Sequence, residues 1–326
     1  MNRTFFIPLL ALSICLGACN EKKPEAFDPD IKNNSLAVSP DESVAVVCAS
    51  GIDFVNIYDL RTDSLIKTIN EVVTPRNIAF SKDGTVFYIS DSSYGNIREY
   101  DSKTFKLLRT FPLAKGVFGF AVDDKNQRIY ANNQAENTVT VLNTATGEVD
   151  KVINGFNGPR QGIVLADDNR HLYVTNFKSD DVKVVDISID EIIKTLPGIP
   201  AVRQISVDTQ RNILYGASSK ENAIYALDIA TGNQIARIPV GEEPYGAKLS
   251  PDRSILLSGE KGSNSISVIR TDSLTIEGTV RGLDGPRQAI VYSTANPGRA
   301  YILNADLSVS VIDYHDNTIV KTIGKN

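Results

Sequence analysis

A seven-bladed, all-β propeller of four-stranded antiparallel blades is the fold class that three observations predict. Turn markers recur every 42 or 43 residues, at Ser39, Ser81, Asp123, Ala166, Asp208, Ser250 and Ser293. Within each interval lie four short runs that alternate in period two, the pattern of half-buried strands. The composition, with no Trp but 22 Gly and 14 Pro in 326 residues, favours strands joined by tight turns over helices. Sheets of this size bury their faces by packing radially, and radial closure leaves only short edges. A linear stack would need atypical capping repeats, and the sequence shows none.

The first element is not part of the repeat. Arg3 precedes an uncharged run over residues 5–18, which has the layout of a secretory signal peptide and is too short to span a bilayer comfortably. The run ends in Leu16-Gly17-Ala18-Cys19, which resembles a bacterial lipobox. That resemblance implies cleavage before Cys19 and acylation of the cysteine with palmitate-like chains, hence a membrane anchor. Asn20, where Asp would signal inner-membrane retention, implies the outer membrane. Residues 19–34 are polar, charged and interrupted by two prolines; they read as a tether, at most about 50 Å long when extended. The expected organisation is therefore a signal peptide (1–18), a lipidated cysteine with its tether (19–34) and a propeller (35–326). Cys48, in "VAVVCAS", is then the one cysteine left over, which excludes an intramolecular disulfide and reads as a buried small hydrophobe.

In each repeat a turn such as "SPDES", "SKDGT" or "SPDRS" leads into a β-rich run such as "TVFYIS", "RIYANN", "HLYVTN" or "ILYGAS". An alternating third strand follows ("NTVTVLN", "DVKVVDI", "NSISVIR"). A turn such as "TATGE" then delivers an outer strand, such as "IIKTLP" or "QIARIP". The segment "HLYVTN" at 171–176 and "ATGNQIARIPVGEEPYGAKLSPD" at 230–252 resemble the YVTN-type propellers, often described as YncE-like, and the resemblance covers residues 34–326. The absence of Trp separates the chain from WD40 repeats. Some surface lipoproteins of the group capture cobalamin and pass it to a TonB-dependent transporter, so the resemblance implies such a ligand and such a partner.

One fragment recurs almost verbatim: "GPRQGIV" at 158–164 and "GPRQAIV" at 285–291. It marks entry to the innermost strand, where Pro sets the approach angle. The equivalent positions of the seven repeats are Asn34, Arg76, Phe118, Arg160, Arg203, Tyr245 and Arg287, and each Arg is followed by Asn or Gln. Inter-blade loops share a face with the loops between second and third strands, so these residues are expected to ring the mouth of the axial funnel. Guanidinium groups with flanking amides suit carboxylate or phosphate. Phe118 and Tyr245 in the ring, with Tyr94 and Phe177 on adjoining loops, could stack a flat ligand. The competing reading pairs each Arg with a neighbouring acid, Asp180, Asp181, Glu221, Glu260 or Asp306, as a structural latch.

Other chemistry is sparse. The two histidines, His171 and His315, are placed at the opposite face; no Cys/His metal spacing, nucleophile elbow or phosphate loop occurs, and no cofactor is implied. A net charge of −5 gives no sign of nucleic acid as a partner. The residues therefore favour a non-enzymatic, outer-membrane-anchored propeller that captures a small anionic or amphipathic molecule. A propeller enzyme of the lactonase or lyase type and a protein-binding envelope scaffold are the alternatives.

Overall fold

The structure, a computed structural model, describes residues 23–325. The signal peptide (1–18) and Cys19 lie outside them. Seven four-stranded antiparallel sheets account for all the regular structure among the described residues, each built from four strands consecutive in sequence. The inner strands are Asn34–Val38, Pro75–Phe80, Val117–Asp123, Pro159–Leu165, Val202–Asp208, Lys248–Leu249 and Ile290–Tyr292. The seven-bladed propeller expected from the repeat is what the chain forms.

Local chemistry accounts for the regularity. In "SKDGT" the Ser81 hydroxyl donates to Asp83 at 2.6 Å, and the same carboxylate accepts the Thr85 amide at 3.0 Å. Ser39–Asp41 and Ser250–Asp252 repeat the arrangement. These side chains satisfy backbone groups that the tight first turn leaves unpaired. The second strands, such as Phe87 to Ser90 within Val86–Asp91, are buried on both faces because a blade lies against each. Outer strands such as Ser64–Ile69 are largely exposed. Cys48 is fully buried in the second strand of blade one, and burial pushes its thiol far up, as befits an inert hydrophobe.

No sheet borrows a strand from another blade, and residues 27–31 add none. The ring closes instead through side chains. A hydrophobic cluster joins Leu36, Val47 and Tyr58 of blade one to Tyr301, Leu303 and Val309 of blade seven. Above it, the Glu42 carboxylate accepts the Ser293 hydroxyl at 2.7 Å, the Thr294 hydroxyl at 2.8 Å, the Ala295 amide at 2.8 Å and the Tyr301 hydroxyl at 3.0 Å. Partial burial works against ionisation of Glu42. The hydrogen bonds from Ser293, Ala295 and Thr294 outweigh it and hold the carboxyl at about 2.

Glu42→Gln should therefore lower stability by about 1–2 kcal/mol at neutral pH, the scale of hydrogen bonds to a charged acceptor. Because the folded pKa lies below the unfolded one, the stabilisation is complete above about 4.5 and fades as pH falls toward 2. Urea midpoints of both proteins across that range should converge at the acid end.

Candidate functional site

The ring arginines owe their direction to the backbone. The ladder slips between Pro75 and Asn77, between Pro159 and Ile163, and between Val202 and Ile205, so Arg76, Arg160 and Arg203 each fall in a bulge at the mouth of the inner strand, while Arg287 precedes the strand Ile290–Tyr292. A bulge re-aims a side chain that regular pleating would send between blades. Close packing of the inner strands also explains the adjacent glycines. A Cβ on Gly162 would lie 2.5 Å from the Arg203 carbonyl oxygen, and one on Gly119 would lie 2.8 Å from that of Arg160.

The structure divides the predicted ring into two halves. Arg76 is fully buried and has no room for a ligand. It donates to the Ser92 hydroxyl (3.0 Å), to the Asn33 side-chain oxygen (3.1 Å) and to the carbonyls of Phe27 (3.0 Å), Asp28 (3.2 Å) and Ile31 (2.6 Å). Every N–H of its guanidinium is used. Residues 27–33, expected to belong to a free tether, form a strap laid over this side of the funnel. Further bonds from the Phe27 amide to the Ser93 hydroxyl, from Gln134 to the Asp28 carboxylate, and from Arg287 to the Lys32 carbonyl hold it there. Phe118 is buried beneath Arg76, whose guanidinium lies 4.7 Å from the ring centroid. Tyr94 also departs from expectation: it stacks on Arg98 of its own blade at 4.5 Å.

The other half is open. Arg160 lies 3.9 Å from the centroid of Phe177, and Arg203 lies 4.3 Å from it. Arg203 is also 4.6 Å from Tyr245, and Arg287 is 5.0 Å from the same ring. Two cations cannot share one ring face at these distances, so the five side chains alternate as a stack. Phe177 and Tyr245 therefore offer no free face to a flat ligand, contrary to the sequence-based expectation. They act as spacers that hold three guanidinium groups apart, while Arg203 donates through Nε to the Ser219 hydroxyl at 2.9 Å and Arg287 to the Lys32 carbonyl at 3.0 Å.

The latch reading fails for the acids named for it. Among the described residues none of Arg76, Arg160, Arg203 or Arg287 forms an ion pair. Asp180 instead accepts the Ala201 amide, Asp181 the Asn176 side chain, Glu260 Ser265 and Asp306 Ser308, while Glu221 faces Arg237. Desolvation, and for Arg160 the neighbouring Arg203, pushes Arg76 and Arg160 down to about 10; burial lowers Arg203 as well. All remain cations at neutral pH, and the open half is a patch of concentrated positive charge. The crevice between stack and strap holds only about 20 Å³, so a ligand would sit against the guanidinium edges and not beneath them.

The amides that follow the arginines have another task. Gln161 of blade four donates to the Asn34 carbonyl of blade one at 2.8 Å, across the axis, and Gln288 donates to the Asn34 side chain at 2.9 Å. Asn77 donates to the Phe120 carbonyl at 3.1 Å, and Gln204 accepts the Ala247 amide at 3.2 Å. They form a collar that separates the arginine crevice from an axial channel of about 400 Å³. The sequence noted these amides but not that they tie inner strands together. His171 and His315 lie at the far end, as expected: His171 pairs with Asp168 at 2.6 Å, at the opposite end of its strand from Asn176, which faces Pro159. Among the described residues no cluster of three metal-ligating side chains exists.

Known proteins place this geometry in context. Residues 34–191 match the family model described as "Lactonase, 7-bladed beta-propeller". A stretch of 108 residues, 32% of this chain, is 30% identical to a seven-bladed beta-propeller protein of Mycobacterium tuberculosis; the match spans 27% of that relative's length. Hydrazine synthase of Kuenenia stuttgartiensis superposes with a TM-score of 0.75 at 17% identity, over 86% of this chain and 94% of that one. Dihydro-heme d1 dehydrogenase NirN, in complex with DHE, superposes with a TM-score of 0.66 at 15% identity, over 89% of this chain and 65% of its own. At such identities the solved structures speak for the fold alone.

Replacing Arg76 by Met should release the strap. We expect a stability loss of about 3 kcal/mol, because several partly buried carbonyls lose a charged donor, and new tryptic cleavage at Lys32. Denaturation curves and timed proteolysis of the wild type and variant would measure both.

Proposed function

We propose that the protein is a non-enzymatic capture propeller whose open half-ring binds a small molecule carrying two or more carboxylate or phosphate groups. The observation that carries this reading is the stack itself. Arg160, Arg203 and Arg287 are spaced by aromatic rings and have no carboxylate within ion-pair distance among the described residues. Unpaired guanidinium groups, partly removed from water, gain most from an anion that accepts two parallel N–H bonds. Because the aromatic faces are covered, the support is for an anionic ligand more than for a flat amphipathic one.

The direct test is native mass spectrometry of the full chain in detergent, incubated with sugar acids, nucleotides, haem and cobalamins. A variant with Arg160, Arg203 and Arg287 all changed to Ala is the control. We expect an adduct with an anionic compound that weakens at least tenfold in the control, the scale of losing one charged hydrogen-bond donor. An adduct of unchanged affinity in the control would refute the assignment, and a cobalamin adduct would restore the flat-ligand version.

The family match over residues 34–191 favours a second reading, a lactone hydrolase. Turnover of any member of a lactone panel, retained by the triple variant, would support it over capture.

The lipobox-like segment supports anchoring through Cys19 at the outer membrane, with a TonB-dependent transporter as a partner for the captured ligand. Cells fed labelled palmitate should incorporate label into the wild type but not into Cys19→Ala, which should leave the membrane fraction. Label in both proteins would remove the anchor from the proposal.

A further inference from the structure

The axial channel, on the far side of the amide collar, contains a charge that the repeat does not explain. Lys248 stands opposite Leu257 in the first hairpin of blade six. The same register position in the other blades holds Ala37, Ala79, Ala121, Val164, Ser206 and Val291. Six blades thus place a small uncharged side chain where the sixth blade places a lysine. A residue that breaks the local pattern of a repeat without a packing gain is a candidate for function.

Its surroundings sharpen the point. Lys248 lines the channel and is half-buried, so its side chain keeps contact with the channel space. Among the described residues its ammonium has neither a hydrogen-bond acceptor nor an ion-pair partner. Desolvation alone lowers its pKa, and no neighbouring carboxylate acts on it. A charge partly removed from water gains from a counter-charge, because without one part of its lost hydration goes uncompensated. Beside it, Gln204 accepts the Ala247 amide through its oxygen, which leaves the NH₂ of that side chain, at the border of the channel and the arginine crevice, free as a second donor. Ile205, Leu249 and Ile290 supply aliphatic wall, and the cavity of about 400 Å³ falls within the size range of small-molecule sites.

We propose that the axial channel is a second binding site, for a small carboxylate-bearing molecule, with Lys248 as its counter-charge and the Gln204 amide as its second donor. The collar of Asn34, Gln161 and Gln288 separates it from the arginine half-ring, so the two sites are independent and the channel is entered from the opposite face.

Calorimetric titration of the full chain in detergent with acetate, benzoate and succinate tests this. The proteins compared are the wild type, Lys248→Met and Arg203→Ala. Met matches the length of the lysine stem and removes an unpaired charge, so K248M should fold and melt no lower than the wild type. Lys248→Gln replaces it should it aggregate. At least one probe should bind the wild type and R203A with one-to-one stoichiometry and lose roughly tenfold or more in affinity in K248M. Equal affinity in K248M would overturn the proposal. So would loss of binding in R203A alone, which would put the anion on the half-ring. Absence of wild-type binding for all three probes up to about 10 mM would also overturn it.

Discussion

Everything in this molecule depends on fitting seven inner strands around one axis. Each inner strand has one edge paired to its blade and one edge turned to the centre, where backbone N–H and C=O groups have no ladder partner. The chain answers with side-chain amides: Gln161, Gln204, Gln288 and Asn77 bond to backbone groups of other blades. Crowding at the same level demands glycine where one blade's carbonyl meets the next blade's Cα, as at Gly162 and Gly119. The recurring "PRQ" is thus first a solution to packing at the axis. The arginine in its bulge is the member of the motif left over for other work.

How that arginine is used differs from blade to blade. Arg76 is consumed in holding a neighbouring segment of its own chain, a role neutral carbonyls fill as well as acids would. Arg160, Arg203 and Arg287 are braced by aromatic faces, which fix orientation without neutralising charge. Three like charges held together in this way raise the local potential of a protein whose net charge is negative. Bracing by rings keeps the charge available; bracing by carboxylates would have cancelled it.

The repeat was legible because it is local. Ser81, Asp83 and Thr85 make their turn within five residues, and strand alternation is a property of neighbours, so blade number and blade boundaries follow from sequence. At the crossings between blades, Gly116, Gly158, Gly198 and Gly285 adopt positive φ. The ring positions were legible too, but not their state. Whether Arg76 meets water or the carbonyls of residues 27–31 depends on contacts more than 40 residues apart, and no period encodes them. Residues 27–33 looked like linker because their composition is polar; their order comes from Arg76 and Ser93 of the second blade and Gln134 of the third. The stacking of Phe177 between Arg160 and Arg203 likewise joins two blades. Lys248 was not singled out in the sequence, because the column of small residues that it breaks is defined by strand register.

Because every blade is a contiguous piece of chain, the junction of blades seven and one is unlike the junction inside a strand-exchanged ring. It contains a hydrophobic cluster and the Glu42 cluster of hydrogen bonds, but not one rung of β-ladder. The ring can therefore part at this seam while all seven sheets stay intact. Amides in the sheets on either side would keep their protection during such an event. The axial channel, walled by the inner strands of six of the seven blades, would widen with it.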